Sequence, residues 1–385
     1  MIYVALRMLT GDRGKYFGIV MGLTFASFLI TQQMAIFVGL MTRTYGFITD
    51  SALADVWVMD PKVQFVDDIK PLQDTQLLRV RGIEGVEWAV PLYKGILKAR
   101  LDNGNFQACN VVGLDDATLI GGPATMIEGA LADLRRADGV IIDEAGAKGK
   151  LARKGPDGIA IPLKVGSTVE LNDHRAVVVG ICRVSRTFQS QPVVYTTYTR
   201  ATTFAPMERK LLSFIQAKAR PGITPKELAS RIAKGTTLAA YTKPEFESLT
   251  ISYFMKYTGI PINFGIAVLL GFLVGTAIAG QTFYNFTLEN LKHFAALKAM
   301  GATNGTLLVM VVLQALLVGG IGYGFGTGLA AMFGRAVGTN TELAFRLPWQ
   351  ILCGTGGAIA VICTFAALLS LIKVIRLEPA IVFKG

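Results

Sequence analysis

Hydrophobic positions along this chain collect in four long runs. Residues 16–42, 262–288, 302–334 and 347–372 contain no Asp, Glu, Lys or Arg. At 1.5 Å rise per helical residue, each run is long enough for a hydrocarbon core that needs about 20 residues. The pattern predicts four membrane-spanning helices. Residues 43–261 read differently, as short alternating runs broken by turn residues. Ala54–Met59, Val86–Val90, Gly95–Leu101 and Phe106–Val112 read as strands, the last two joined through Asp102-Asn103-Gly104. A second hairpin is expected at Thr168–Leu171 and Arg175–Ile181, turning at Asn172-Asp173. Leu72–Arg79 and Pro225–Ala233 read as helices, the second with Thr224 as N-cap and Glu227 completing a capping box. Leu211–Ala217 and Thr237–Tyr241 read as strands on either side of that second helix. Two β-α-β units bracketing a hairpin-rich insertion predict a ferredoxin-like sheet. The expected fold is a membrane α-helical protein of four transmembrane helices, with a large α+β extracytoplasmic domain inserted between the first and second spans.

Charge orients this arrangement. Arg7, Arg13, Lys15, Lys292, Lys298, Lys373, Arg376 and Lys384 flank the spans in short segments, whereas 335–346 sets only Arg335 and Arg346 against Glu342. The bias of Lys and Arg toward cytoplasmic loops then gives a consistent layout. Residues 1–42 are a cytoplasmic N-terminus and first span, 43–261 the outer domain and 262–288 the second span. A cytoplasmic link at 289–301 leads to the third span at 302–334. A short outer loop at 335–346 precedes the fourth span, 347–372, and 373–385 is a cytoplasmic C-terminus. The first run exceeds the 7–15 apolar residues of a signal peptide and is read as an uncleaved span.

Composition agrees: the 385 residues are 52% hydrophobic and 17% charged, where a soluble domain carries roughly 25% charged residues. The outer stretch holds 28 Lys and Arg against 23 Asp and Glu, without the concentrated basic stripe a nucleic-acid partner requires. Catalytic chemistry is not indicated. The two histidines, His174 and His293, fall on opposite sides of the membrane, and no CxxC pair exists, so neither a zinc site nor a Ser-His-Asp triad can be assembled. Asp67-Asp68, Asp115-Asp116 and Asp143-Glu144 read as acids on turns and helix starts. Cys109 and Cys182 share the outer domain, either bridged or as two buried thiols; Cys353 and Cys363 lie in the fourth span. No G-x-x-x-x-G-K-[ST] nucleotide loop is present, so no cofactor is expected and any nucleotide-driven work falls to another polypeptide.

Within the spans, two features invite a role. Gly320, Gly324 and Gly328 form one GxxxG row and Gly322 and Gly326 another, either for tight packing or for a sliding helix. Thr24, Ser27 and Thr31 share roughly one face of the first span, followed by Gln32 and Gln33. Those two amides either line an intramembrane polar site or bond a neighbouring helix.

The link between the second and third spans is helix-forming throughout. Leu288, Leu291, Phe294 and Leu297 give an apolar stripe, Glu289 is spaced for Lys292 and His293, and Gly301 falls at a helix C′ position before Thr303 or Asn304 caps the next helix. Such a rod either lies along the membrane or docks on a cytosolic partner. Its end, Leu297-Lys298-Ala299-Met300-Gly301-Ala302-Thr303, resembles the L-K-A-(small apolar)-G-A-(S/T) signature of the MacB/FtsX-like ABC transporter permease family, closest to the DevC-like branch. The terminal Arg376-Leu377-Glu378-Pro379-Ala380-Ile381-Val382-Phe383 is similar to that family's acid-Pro-Ala-x-Val-Phe ending. Where the family usually has Glu eight residues before the motif glycine, this chain has His293.

The resemblance implies a non-enzymatic permease subunit in the bacterial inner membrane. Such a subunit dimerises, as a homodimer in the commoner case or else as a heterodimer, and recruits two copies of an ATP-binding cassette ATPase. Leu288, Glu289, Leu291, Lys292, His293, Phe294, Leu297, Lys298 and Gly301 would provide the coupling contact. Motion of the outer domain would then serve export of envelope or lipidic cargo, with a periplasmic adaptor and outer-membrane channel as further partners. The family alternatives are an FtsX-like mechanotransmission regulator and a lipoprotein-releasing permease.

Overall fold

A computed structural model describes residues 13–375 except 156, 158, 207–210 and 341. The terminal motif at 376–383 lies outside the described residues, as do Arg7 and Lys384. The chain divides into two units, a helical one made of residues up to Leu40 and from Gly259 onward, and an α+β one spanning Met41–Thr258.

Helix α1 (Arg13–Asp50) is unbroken across that division. The α+β unit then begins with β1 (Val56–Met59), α2 (Asp74–Arg81), β2 (Val86–Arg100), β3 (Phe106–Leu114), β4 (Thr125–Glu128), β5 (Gly139–Asp143) and α3 (Glu144–Lys148). It continues through β6 (Arg153–Lys154), β7 (Ala160–Ile161), β8 (Thr168–Leu171), β9 (His174–Arg183), β10 (Val193–Thr197) and α4 (Tyr198–Phe204). β11 (Phe214–Ala219), α5 (Pro225–Gly235), β12 (Ala239–Thr242) and α6 (Lys243–Tyr257) complete it.

Ten strands make one sheet ordered β12-β1-β11-β2-β3-β10-β5-β9-β4, with β8 alongside β2 and β9; β6 and β7 pair separately. The segment β12-β1-β11-β2 is antiparallel throughout, which is the ferredoxin-like order expected from the two split units. Asn172 and Asp173 both adopt positive φ (48° and 65°), the primed turn that the β8–β9 hairpin requires. β2 differs from expectation: the two predicted strands are one of 15 residues, running through Pro91. Residues 86–92 pair with β11 and residues 93–100 with β3, so Pro91 sits just before the partner exchange, where a missing amide is tolerated.

The same strand order decides the cysteine question. Cys109 on β3 and Cys182 on β9 are separated by β10 and β5 and belong to different buried clusters, and neither is bridged. Both are buried free thiols, and burial pushes each up to about 12. Without reductant, both are expected to resist maleimide in the folded protein and to react fully after denaturation. A denatured sample in which neither reacts would show a bridge and contradict the strand order.

In the helical unit, α7 (Ile260–Glu289), α8 (Leu291–Ala299), α9 (Asn304–Asn340) and α10 (Trp349–Ile375) follow. Together with α1, helices α7, α9 and α10 are long and apolar enough to cross a membrane. Their shared core includes Leu23, Phe283, Phe286, Val311, Val318, Ile362 and Ala366. Polar side chains fasten it. Ser27 donates to the Tyr323 carbonyl (3.3 Å), Thr31 to Thr355 Oγ1 (3.3 Å) and the Tyr323 hydroxyl to the Leu352 carbonyl (3.0 Å).

Candidate functional site

Asn290 divides the expected continuous rod. Its side-chain amide donates to the Phe286 carbonyl at 2.9 Å, closing the last turn of α7, and its backbone leaves helical geometry (φ −89°, ψ 9°). Leu288 and Glu289 therefore end α7, while Leu291, Lys292, His293, Phe294, Leu297 and Lys298 form the separate nine-residue helix α8. Phe294 is fully buried in the bundle core beside Phe283, Phe286 and Leu307, with Leu297 packed partly against it. Lys292, His293 and Met300 face outward. Of the apolar stripe only Phe294 is fully buried, Leu291 and Leu297 are half-buried and Leu288 is exposed, and α8 bares Lys292, His293 and, at its end, Met300.

Gly301 ends this element. The Ala302 amide bonds the Leu297 carbonyl (3.0 Å) and the Gly301 amide bonds that of Lys298 (3.1 Å), the paired closure of a Schellman motif. Gly301 has φ +94°, in the left-handed region that favours glycine. Thr303 Oγ1 then accepts the Thr306 amide (3.3 Å) at the start of α9. Two helix ends meet within five residues, giving a sharp elbow set by local hydrogen bonds.

The two glycine rows separate. A Cβ on Gly322 or Gly326 would meet the backbone and Cβ atoms of α1 around Leu23–Phe28, whereas Gly320, Gly324 and Gly328 face open space. Gln32 and Gln33 are half-buried on α1 and take no part in the cross-helix bonds made by Ser27 and Thr31.

The α+β unit holds a cavity that the sequence did not reveal, walled by Phe47, Val66, Phe188 and Tyr195 and including Arg43, Asp50, Asp67 and Lys94. Lys94 is nearly fully buried, donates to Asp67 and lies 5.3 Å from the Phe47 ring centroid, so its charge is both paired and set against an aromatic face. The signal in the sequence was a lysine inside the apolar run Pro91–Leu97. Asp50 at the end of α1 accepts from the Ser185 amide (2.6 Å) and hydroxyl (3.0 Å).

The acid pairs are engaged in hydrogen bonds within the α+β unit, some to neighbours in sequence and some across the fold. Asp115 caps Thr118, Asp116 accepts from Thr199, and Asp143 accepts the Gly146 and Val193 amides. Burial holds the Asp143 carboxyl above its usual value, and those two amides offset only part of that rise. Glu144 is held below its usual value by bonds from Lys148 and Arg183. Among the described residues, no cluster of His, Cys, Asp and Glu could hold a metal ion.

Two family models match the chain: the MacB-like periplasmic core domain over residues 17–234 and the FtsX-like permease C-terminal over residues 265–379. No curated protein matches. Among solved structures, the extracellular domain of the ABC-type transporter YknZ from Gram-positive bacteria is 13% identical, covering 49% of this chain and 98% of its own, with TM-score 0.33. The periplasmic region of MacB from Actinobacillus actinomycetemcomitans is 15% identical, covering 55% of this chain and 96% of its own, with TM-score 0.37. The periplasmic-core match alone takes in more than half of the 385 residues, and the permease match takes in α8 and its elbow. This chain therefore belongs to the MacB/FtsX-like family of ABC transporter permeases, multi-pass membrane proteins with an extracellular domain that work with ATPase subunits.

Proposed function

We propose that this chain is the permease subunit of an ABC assembly in the bacterial inner membrane, on which a separate ATPase seats at α8 and drives motion of the α+β unit. The observation that carries the reading is the construction of α8. It is a short helix held by Phe294 in the bundle core, with Lys292, His293 and Met300 turned out and a glycine-closed elbow behind them. A helix fixed on one side and bare on the other converts a push from a docked partner into displacement of the helices on either side. The site residues follow from this. Lys292, His293 and Met300 form the contact, Leu291, Phe294 and Leu297 anchor the helix, and Leu288, Glu289, Lys298 and Gly301 set its ends.

A path outward is supported by α1, whose hydrogen-bonded ladder runs without interruption from Arg13 to Asp50. Its outer turns are fastened into the α+β unit. Arg43 donates to Ser190 (3.0 Å), Thr49 to Glu247 (2.8 Å) and Lys243 to the carbonyls of Thr49 (2.8 Å) and Ser51 (3.0 Å), alongside the Asp50–Ser185 pair. Displacement of these last turns of α1 would reach the sheet through those bonds. Two ATPase copies and a permease homodimer complete the proposed assembly.

The test is purification from native membranes in mild detergent. An ATP-hydrolysing subunit is expected to accompany the chain and to lose its association when Lys292 and His293 are both replaced by Glu. A chain that stays ATPase-free under conditions preserving activity would overturn the reading.

A further inference from the structure

We propose that the last turn of α6 is a lipid seat, in which Met255, Lys256 and Tyr257 hold the phospholipid headgroup layer on the side of the membrane where the α+β unit lies. The exposed character of α6 changes along its length. Upstream, the outward positions are Pro244, Ser248 and Ser252. In the last turn they become Met255, 46% exposed, Lys256, and Tyr257, 73% exposed. A tyrosine ring, a thioether and a lysine bared together at one helix end are the side-chain types that suit a membrane interface.

Chain reach supplies the occupant. Only Thr258 and Gly259 separate Tyr257 from Ile260, the first residue of α7, so their Cα atoms lie within roughly 11 Å however the connection bends. From Ile262 onward α7 exposes apolar side chains, Ile262 at 67%, Ile266 at 52% and Leu269 at 54%. Those side chains place the start of α7 in hydrocarbon, and the interfacial layer beyond is roughly 5–8 Å thick on each side. Tyr257 is thus tethered within reach of headgroup depth. There a tyrosine puts its ring toward the acyl region and its hydroxyl toward water, while a lysine extends its ammonium to phosphate.

The seat is braced from behind. Tyr257 lies 5.5 Å from the Tyr253 ring, Tyr253 stacks on Phe65 at 4.3 Å, and Phe254 contacts both Phe65 (5.6 Å) and Phe188 (5.0 Å). Phe65 and Phe188 sit in the loops that also carry Asp67 and Ser185, two walls of the Lys94 cavity. A run of rings therefore ties the lipid surface to those loops.

The test uses the full chain in lipid nanodiscs. Tyr257→Trp is placed in a Trp349→Phe background, because Trp349 is itself 69% exposed at the start of α10. The emission that the introduced indole adds over the parent is expected to shift to the blue and be shielded from aqueous iodide. It should also be quenched more by lipids brominated near the glycerol than by lipids brominated at the acyl end. Met255→Trp is expected to give the same ordering. Ready quenching by iodide with no response to brominated lipid would overturn the proposal. So would emission reached by neither quencher, which would show that a protein partner covers the turn.

Discussion

Gly301→Val is expected to cut stimulation of the partner ATPase by this chain up to about tenfold, while leaving the chain inserted and the α+β unit folded. The reason is confined to the backbone. Gly301 sits at φ +94°, and a Cβ there would meet no atom within 4 Å, so the strain arises in the backbone and not from contact of the Cβ with neighbours. What it adds is the cost of holding a side chain in a left-handed conformation, about 1–2 kcal/mol and more for a β-branched residue. That is enough to shift the elbow about tenfold toward other geometries. Because the elbow joins α8 to α9, the loss appears as uncoupling rather than as unfolding. Gly301→Asn, which tolerates this region, should retain most of the stimulation, and Gly301→Ala should fall between. Glu at Lys292 or His293 should do less individually, because an exposed ion pair contributes about 0.2–1 kcal/mol. The measurement is the ATPase rate of the reconstituted complex beside a membrane-insertion assay. Equal activity of the Val and Asn variants would remove the elbow from the mechanism.

The ends of α8 were legible because they depend on neighbours in sequence. Gly301, Ala302 and Thr303 form the expected closure and cap through bonds spanning three to five residues. The four apolar helices were equally legible, since an absence of charge over more than 20 residues is a signal that needs no knowledge of packing. The rod itself was not. Its every-third-residue stripe treated Leu288 and Phe294 as equivalent, but the Asn290 side chain stops α7 between them, leaving Leu288 at the surface and Phe294 in the core.

Longer-range facts escaped for a different reason. Whether Cys109 and Cys182 meet depends on which strands intervene, and β10 and β5 come from distant parts of the chain. The Lys94 cavity required β2 to bring one residue beside two loops 27 and about 90 positions away, which alternation within β2 does not encode. Helix α6 was a missed local signal. Thr242 and Glu245 form a capping box, with bonds of 2.9 and 2.8 Å from Thr242 to the Glu245 carboxylate, the same T-x-x-E logic that located α5.

Gly326→Leu is expected to be the most destabilising single change in the helical unit, and Gly324→Leu two positions away nearly silent. The GxxxG rows were indistinguishable by spacing, but only one is used inside the chain. A Cβ at 326 would come within 2.6 Å of both the Ser27 Cβ and the Thr24 carbonyl and 2.8 Å of the Phe28 amide; at 322 it would approach the Leu23 Cβ at 2.7 Å. Most of these are backbone or Cβ atoms of α1, which no rotamer change can move aside. Overpacking ordinarily costs about 1–3 kcal/mol, and a contact that forces two helices apart belongs at or above the upper end. Separation would also break the Ser27–Tyr323 bond nearby, leaving polar groups unpaired where water cannot replace them. At 324 and 328 a Cβ meets nothing within 4 Å, so added methyl groups simply face outward. Melting in detergent reads the difference, and Cys363, buried against α9 beside Gly319, gives a second measure. Its alkylation should accelerate in the Gly326 and Gly322 variants and stay slow in the Gly324 and Gly328 variants. Equal losses at 324 and 326 would show that close approach of α1 to α9 is not what holds this unit together, and the asymmetry between the two glycine rows would then have no energetic content.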